Sequence, residues 1–375
     1  MNTSRFLNRA FTLVEMLVVI IIITSILLIA VPSFQSMINS SEAALAESML
    51  KSGMRAGKDA AIRSTGDQDS AVVFFYAPGG RLSMGVFVKA GTLEDRDGAN
   101  NPVRRDIFVP TGLNESVQLP RGWMVRGFAP PNATSIGNST DSQADPSTQW
   151  YEPSANRPMS SFVGNWVFPE TAFYDTSVSY DGGNRQTFMV RFQAGSGIMK
   201  MGTADTCLVF VPGPNANWRT AGVFASHRAD QTDDAFKFVM RVLNAPGAGA
   251  GSLTDQQQRD LLGWECSDMV LARPVSQLAL YEEVKLATGI AARVDRTSDC
   301  LYRPFIPGTS NAPEYVVRAD PANFTRDINR WIIGDTNLDG THQAFDGSGQ
   351  VEDAPEARVF TIDRYTGGLQ SVEVQ

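Results

Sequence analysis

Residues 9–32 read RAFTLVEMLVVIIIITSILLIAVP, and no other part of the chain limits its fold and location so strongly. From Phe11 to Val31 only Thr12, Glu15, Thr24 and Ser25 are polar. Wound as an α-helix the stretch is about 30 Å long, the thickness of the hydrocarbon core of a bilayer. Glu15 is the residue that needs a reason. A charged group at mid-membrane costs about 2.5–3.5 kcal/mol on insertion scales and less near the boundary, and acids kept there are usually functional.

Three readings compete for this segment. A cleaved secretory signal has a shorter apolar region, roughly 7–15 residues, followed by a small-x-small cleavage site, and neither is clear here. A plain signal anchor fits the length, with Arg5 and Arg9 holding the N-terminus on the cytoplasmic side, but it leaves Glu15 unexplained. The third reading explains the acid. A short basic leader, MNTSRFLNRA, then F-T-L-V-E, then an apolar helix, resembles the class III signal of type IV pilins and type II secretion pseudopilins. The resemblance implies cleavage between Ala10 and Phe11 by a prepilin peptidase, which also methylates the new N-terminus. Glu15 would then be the fifth residue of the mature chain and would face the Phe11 amine of a neighbouring subunit. An ammonium paired with a carboxylate neutralises the acid on assembly and rewards one axial register. Pro32 matches the place where the family often has a helix-bending proline. Ala10 is the departure, since the family usually has Gly before the cut.

Beyond Pro32 the apolar residues turn periodic. Phe34, Ile38, Leu45, Met49, Ala56 and Ala60 follow steps of four and seven, one stripe of an amphipathic helix. Gly53 and Gly57 weaken it modestly, and STGDQDS from Ser64 ends it. The expected helix runs over about 11–64, roughly 80 Å at 1.5 Å per residue. The expected divisions are a leader at 1–10, a transmembrane and assembly helix at 11–32, an amphipathic continuation at 33–66 and a β-rich globular head at 67–375.

In the head the β signals are short runs rich in Val and Phe between Gly, Pro and Asp. They are SAVVFFYA at 70–77, LSMGVFVKA at 82–90, RRDIFVP at 104–110, TFMVRFQ at 187–193 and TCLVFVP at 206–212, then KFVMRVL at 237–243, DMVLARPV at 268–275, EYVVRA at 314–319 and ARVFTIDRYTG at 357–367. TDQQQRDLL at 254–262 and VSQLALYEEVKLA at 275–287 read as helices. PPNATSIGNSTDSQADPSTQWYEPSANRP at 130–158 and NAPGAGAGS at 244–252 have the composition of loops or linkers. The fold class is therefore α+β: a long N-terminal helix, transmembrane in its first half and amphipathic in its second, packed on a predominantly antiparallel β head. The stretch LAESMLKSGMRAGKDAAIRSTGDQDSAVVFFY is similar to the FimT/GspH type of minor pilin and pseudopilin, and the resemblance is carried by the first 77 residues. It implies a structural subunit whose partners are the prepilin peptidase, other pilin or pseudopilin subunits and the bacterial inner membrane. The single-pass chain would hold its head in the periplasm or outside and join a filament after assembly. The rival is an uncleaved, membrane-anchored binding or adhesion protein.

Two further sites are written in the head. In GDTNLDGTHQAFD, Asp335, Asn337 and Asp339 occupy positions 1, 3 and 5 of a loop, Gly340 position 6, Thr341 position 7 and Asp346 position 12. Oxygen ligands on alternate residues around a sharp glycine turn suit Ca²⁺; an Asp/Asn/Gly turn between strands is the other reading. The loop resembles the dockerin type, with Asp in the last position. The three cysteines allow one bridge in any of three pairings; in an exported and oxidising setting Cys266 and Cys300 are the expected pair, and Cys207, in an apolar strand, is expected to be a buried thiol.

The remaining motifs point away from catalysis. The chain holds two histidines, His227 and His342, and no H-E-x-x-H, G-x-S-x-G or C-x-x-C. It is read as a non-enzyme without a small-molecule substrate. A formal net charge of −8 argues against nucleic acid, which needs a basic face.

Overall fold

The computed structural model of the chain describes residues 13–77, 81–96, 102–111, 116–129, 165–167, 169, 186–200, 207–212, 234–245, 252–289, 292–294, 302–304, 331–332 and 357–372. The chain divides into two units, Met1–Glu47 and Ser48–Gln375.

One helix, α1, runs from Leu13 to Arg63 and continues through Pro32. In the first unit it is exposed throughout the span Leu13–Val31. The two hydroxyls of that span turn back on the helix. Thr24 Oγ1 donates to the Ile20 carbonyl at 2.9 Å and Ser25 Oγ to that of Ile21 at 2.8 Å. Both hydroxyl donors are thus satisfied within the helix and need no water.

The second unit begins inside α1 and holds the strands found among the described residues. They are β1 (Ser70–Ala77), β2 (Arg81–Arg96), β3 (Pro102–Pro110), β4 (Val117–Gln118), β5 (Trp123–Ala129), β6 (Asn165–Val167), β7 (Gln186–Phe192), β8 (Cys207–Pro212), β9 (Cys266–Pro274), β10 (Gln277–Glu282), β11 (Ala292–Val294), β12 (Tyr302–Pro304), β13 (Arg358–Ile362) and β14 (Leu369–Ser371). Three short helices, α2 (Ala235–Leu243), α3 (Asp255–Glu265) and α4 (Glu283–Gly289), lie among them.

The first sheet closes on itself. Its order is β1-β7-β9-β8-β3-β2, with β4 added to β2, and β1 also pairs with β2. The result is a six-stranded barrel. The sheet expected from the sequence was predominantly antiparallel, and most pairs are, but β3 with β8 and β7 with β9 are parallel. Every second residue points inward. Ala71, Val73, Phe87, Phe108, Met189, Cys207, Val209, Val270 and Ala272, drawn from all six strands, make one buried cluster, the barrel interior. Alanine and cysteine among them suit the narrow lumen of a small barrel. The alternate residues Ile107, Val109, Leu208, Phe210 and Leu271 face outward and are covered by Phe238, Val239 and Val242 of α2 and Leu261 and Leu262 of α3.

A second sheet, order β14-β13-β10-β5-β6, is antiparallel in every pair. It lies close to the barrel at Gly127, where a Cβ would come within 2.7 Å of the Phe188 ring. The strand expected at 357–367 is present as β13, and a turn and β14 follow it.

Two segments differ from expectation. Residues 237–243, read as a strand, form α2. Asp234 caps it by accepting from Lys237 N at 2.8 Å, and Phe238, Val239 and Val242 share the buried face; a cap and an i, i+4 pair outweigh the β-rich composition. Residues 275–287, read as a helix, are β10 followed by α4. Gln277 to Tyr281 are all buried, so the strand has no polar face and its period of two is hidden. The helix read at 254–262 is α3.

The face of α1 differs as well. Phe34, Ile38 and Leu45, taken as part of the packing stripe, are 63%, 45% and 50% exposed. Within the head unit the buried residues of α1 are Leu50, Gly53, Met54, Gly57 and Ala61. A Cβ on Gly53 would meet Met84, and one on Gly57 would meet Val72 and Phe192. The glycines that looked like weak points of the helix are where it comes closest to strands β1, β2 and β7.

Candidate functional site

The N-terminal site is built on the first turn of α1. Glu15 is exposed there, where a carboxylate complements the positive end of the helix dipole. Around it Leu13, Val14, Met16 and Leu17 are all more than half exposed. An apolar surface of this length is stable only in lipid or against other apolar helices. Ala10 and Phe11 lie outside the described residues. Pro32 is a member of α1, and its side chain lies outside what is described.

Residues 5–31 match the model of the prokaryotic N-terminal methylation motif. The chain begins with a prepilin-type signal. The match takes in Ala10, Phe11 and Glu15, stops one residue before Pro32 and does not reach the head. No curated protein and no solved structure matches the chain. The prepilin-type signal marks a pilin-like or pseudopilin precursor in general, and among the described residues one helix is long and apolar enough to cross a membrane.

In the head, a charged constellation closes the end of the barrel where β1 begins and β7 ends. Arg191, two residues after the inward-facing Met189, turns into the barrel. Its Nε and Nη2 reach Asp69 Oδ2 at 2.9 and 2.7 Å, and Nη2 also reaches Asp106 Oδ2 at 2.6 Å. Its guanidinium stacks over the Phe108 ring, 5.3 Å from the centroid. Asp69 also accepts from Lys200 Nζ at 2.6 Å and from the Ala194 N–H at 3.1 Å. Asp106 accepts from Thr92 Oγ1 at 2.7 Å, and Lys89 Nζ lies 3.2 Å from it and 2.6 Å from Asp67. The cations Lys89, Arg191 and Lys200 balance the carboxylates of Asp67, Asp69 and Asp106, so little net charge is buried.

The electrostatics follow from these contacts. Burial pushes the Asp69 carboxyl up, but the hydrogen bonds from Lys200 and Ala194 and the charge of Arg191 outweigh it and hold the group below the ordinary carboxylate range. Asp106 is held low in the same way, by Thr92, Arg191 and Lys89 against its burial. Cys207, buried at the start of β8, places its Sγ 3.9 Å from Arg191 Nη1. The cluster binds the barrel end together; each carboxylate is engaged by protein groups, which makes it a structural lock rather than a receptor for a ligand.

Sequence reading missed this cluster. The signal was there: Asp69, Lys89, Asp106 and Arg191 each fall at an inward position of an otherwise apolar strand or just before one, which polar residues do only when they meet. The proposed calcium ligands Asp335, Asn337, Asp339, Thr341 and Asp346 lie outside the described residues, as do His227, His342 and Cys300. Cys266 starts β9, with its side chain outside what is described. Cys207 is the buried thiol it was expected to be.

Proposed function

We propose that the chain is a minor pilin or pseudopilin, a structural subunit assembled through its N-terminal helix into a type IV pilus or a type II secretion pseudopilus. The reading rests on one observation above the others: the methylation motif at residues 5–31 continues directly into an apolar helix whose span Leu13–Val31 is wholly exposed. In this reading a prepilin peptidase cuts between Ala10 and Phe11 and methylates the Phe11 amine. The helix holds the subunit in the inner membrane, with the head in the periplasm or outside, until neighbouring apolar helices replace the lipid. Glu15 meets the Phe11 amine of the next subunit and fixes the axial register.

Calcium at Asp335, Asn337, Asp339, Thr341 and Asp346, and a bridge between Cys266 and Cys300, belong to the same proposal as features that stabilise the exported head. Ala10 favours a second reading, an uncleaved anchor that displays a binding or adhesive head, because the family usually has Gly before the cut. Mass spectrometry of the N-terminal peptide from the membrane-extracted protein separates the two. A peptide beginning with N-methylated Phe11 supports the subunit; an intact leader through Ala10 supports the anchor and sinks the assembly reading.

A further inference from the structure

The C-terminal turns of α1 are held from both β layers. On the barrel side, Ser70 Oγ donates to the Gly57 carbonyl at 2.6 Å, and the Gly195 N–H, in the turn after β7, donates to the Ala61 carbonyl at 2.8 Å. The last carbonyls of a helix have no partner within it, so this second bond ties down an end that would otherwise fray.

The other holder belongs to the second sheet. The turn between β13 and β14, Asp363–Gly368, is fixed by its own bonds. The Asp363 carboxylate accepts from the N–H of Tyr365 at 3.1 Å and of Thr366 at 2.5 Å, and the Asp363 carbonyl accepts from Gly367 N at 2.8 Å. Gly367 sits at φ +62°, which favours glycine. So shaped, the turn aims the Thr366 carbonyl at Lys58 Nζ, 2.5 Å away. It also brings Gly367 so near the helix that a Cβ would lie 3.1 Å from both Lys58 Cδ and Phe192 Cε1. The Arg364 carbonyl, in turn, accepts from Met199 N at 2.9 Å. The hairpin that carries this turn is the edge of its sheet, and β14 pairs with β13 over only Phe360↔Ser371, Thr361↔Gln370 and Ile362↔Leu369. Short edge pairings of this kind are the first to open in a native protein.

We propose that the β13–β14 turn is a strap. Closed on Lys58, it couples the edge hairpin of the five-stranded sheet to the end of α1. Opened, it leaves the last turns of the helix on the barrel-side bonds from Ser70 and Gly195 alone, so that they open more readily while the barrel stays shut. The head therefore has a means of changing its hold on α1 without unfolding.

Hydrogen exchange read by mass spectrometry on the full chain in detergent micelles tests this. Lys58→Met removes the donor to Thr366 and keeps a good helix former in place. Gly367→Val adds a branched side chain where φ is positive and space is absent. Both variants are expected to exchange the amides of residues 58–63 at least tenfold faster than wild type, with those of β8 and β9 within twofold. Unchanged exchange at 58–63 in Lys58→Met overturns the proposal. So does equal acceleration of helix and barrel amides, which would make them one cooperative unit with no strap.

Discussion

Replacing Gly57 and Gly53 separately by alanine gives two results of opposite sign, though the positions are four residues apart on one helix. Helix propensity alone favours both changes by about 1 kcal/mol, the difference between glycine and alanine in a helix interior. Packing separates them. A Cβ on Gly57 would stand 2.2 Å from Val72 Cγ2 and 3.3 Å from Phe192 Cε2. Val72 and Phe192 are fully buried, and Val72 is β-branched and flanked across the ladders by Val86 and Val190, so its methyl group has nowhere to turn. Forcing a methyl into such a core costs about 1–3 kcal/mol, and the shift it demands also strains the Ser70 bond to the Gly57 carbonyl. Clash and strained bond together outweigh the gain of propensity, and the net expectation is a loss of up to about 2 kcal/mol. A Cβ on Gly53 would meet only the thioether end of Met84, Sδ and Cε at 3.2 Å. Three rotatable bonds let that end move aside, so the gain of propensity survives and the net change is a stabilisation of about 0.5 kcal/mol. Urea unfolding of the full chain in detergent, followed by near-ultraviolet circular dichroism, reads both changes as shifts of midpoint at constant slope. A Gly57→Ala protein as stable as wild type, or more so, would refute the close approach of α1 to β1.

The charged barrel end makes stability depend on acid. The carboxyls of Asp69 and Asp106 are held below their ordinary value of about 3.9, so their contribution is complete above that value and is lost as the pH falls through the lower, folded one. Unfolding midpoints should drop below about pH 4, and Asp69→Asn should cost about 3 kcal/mol at neutral pH and flatten the acid limb; a limb of unchanged steepness in that variant would count against the lock. Glu15→Val should leave insertion and cleavage intact but reduce incorporation into filaments, and normal incorporation in a pull-down of sheared filaments would dismiss the pairing with Phe11. Melting in millimolar Ca²⁺ against chelator should differ in wild type and not in the Asp335→Ala, Asp339→Ala double variant. Saturation a hundredfold above Kd is worth about 2.7 kcal/mol, and identical wild-type melts would leave the loop an ordinary turn. Peptide mapping without reduction should link Cys266 to Cys300 and recover Cys207 as a thiol, and three thiols in the exported protein would remove the bridge.

What was legible in the sequence depended on whether a signal was local. The prepilin-type segment is plain because each feature of it, the leader, F-T-L-V-E and the long apolar run, sits within about thirty consecutive residues. Runs such as SAVVFFYA and TCLVFVP were equally plain as strands, since Val and Phe between turn formers fit a pleated, buried surface. The closure of β1 onto β2 while β1 also pairs with β7, and the parallel pairs of β3 with β8 and β7 with β9, depend on partners far apart in the chain, and no local pattern encodes them. The strand β10 was misread for a related reason. It is buried on both faces, so the alternation that marks a strand had been erased and its Leu and Ala residues suggested a helix.

The packing face of α1 is set by its small residues as much as by its large ones. The sequence pattern puts large apolar side chains in the buried stripe and makes Gly53 and Gly57 modest weak points of the helix. Within the head unit the reverse holds at the closest points. Burial area scales with side-chain size only while two elements keep the usual helix-to-sheet distance of about 10 Å. When a helix carries glycine at i and i+4, as at Gly53 and Gly57, its backbone can move inward until the partner's side chains touch it directly. There Met84, Val72 and Phe192 supply the contact, and a strand hydroxyl, that of Ser70, can reach a helix carbonyl. A glycine pair at helical spacing next to basic residues such as Lys51, Arg55 and Lys58 is therefore better read as a close-packing face than as a weak helix.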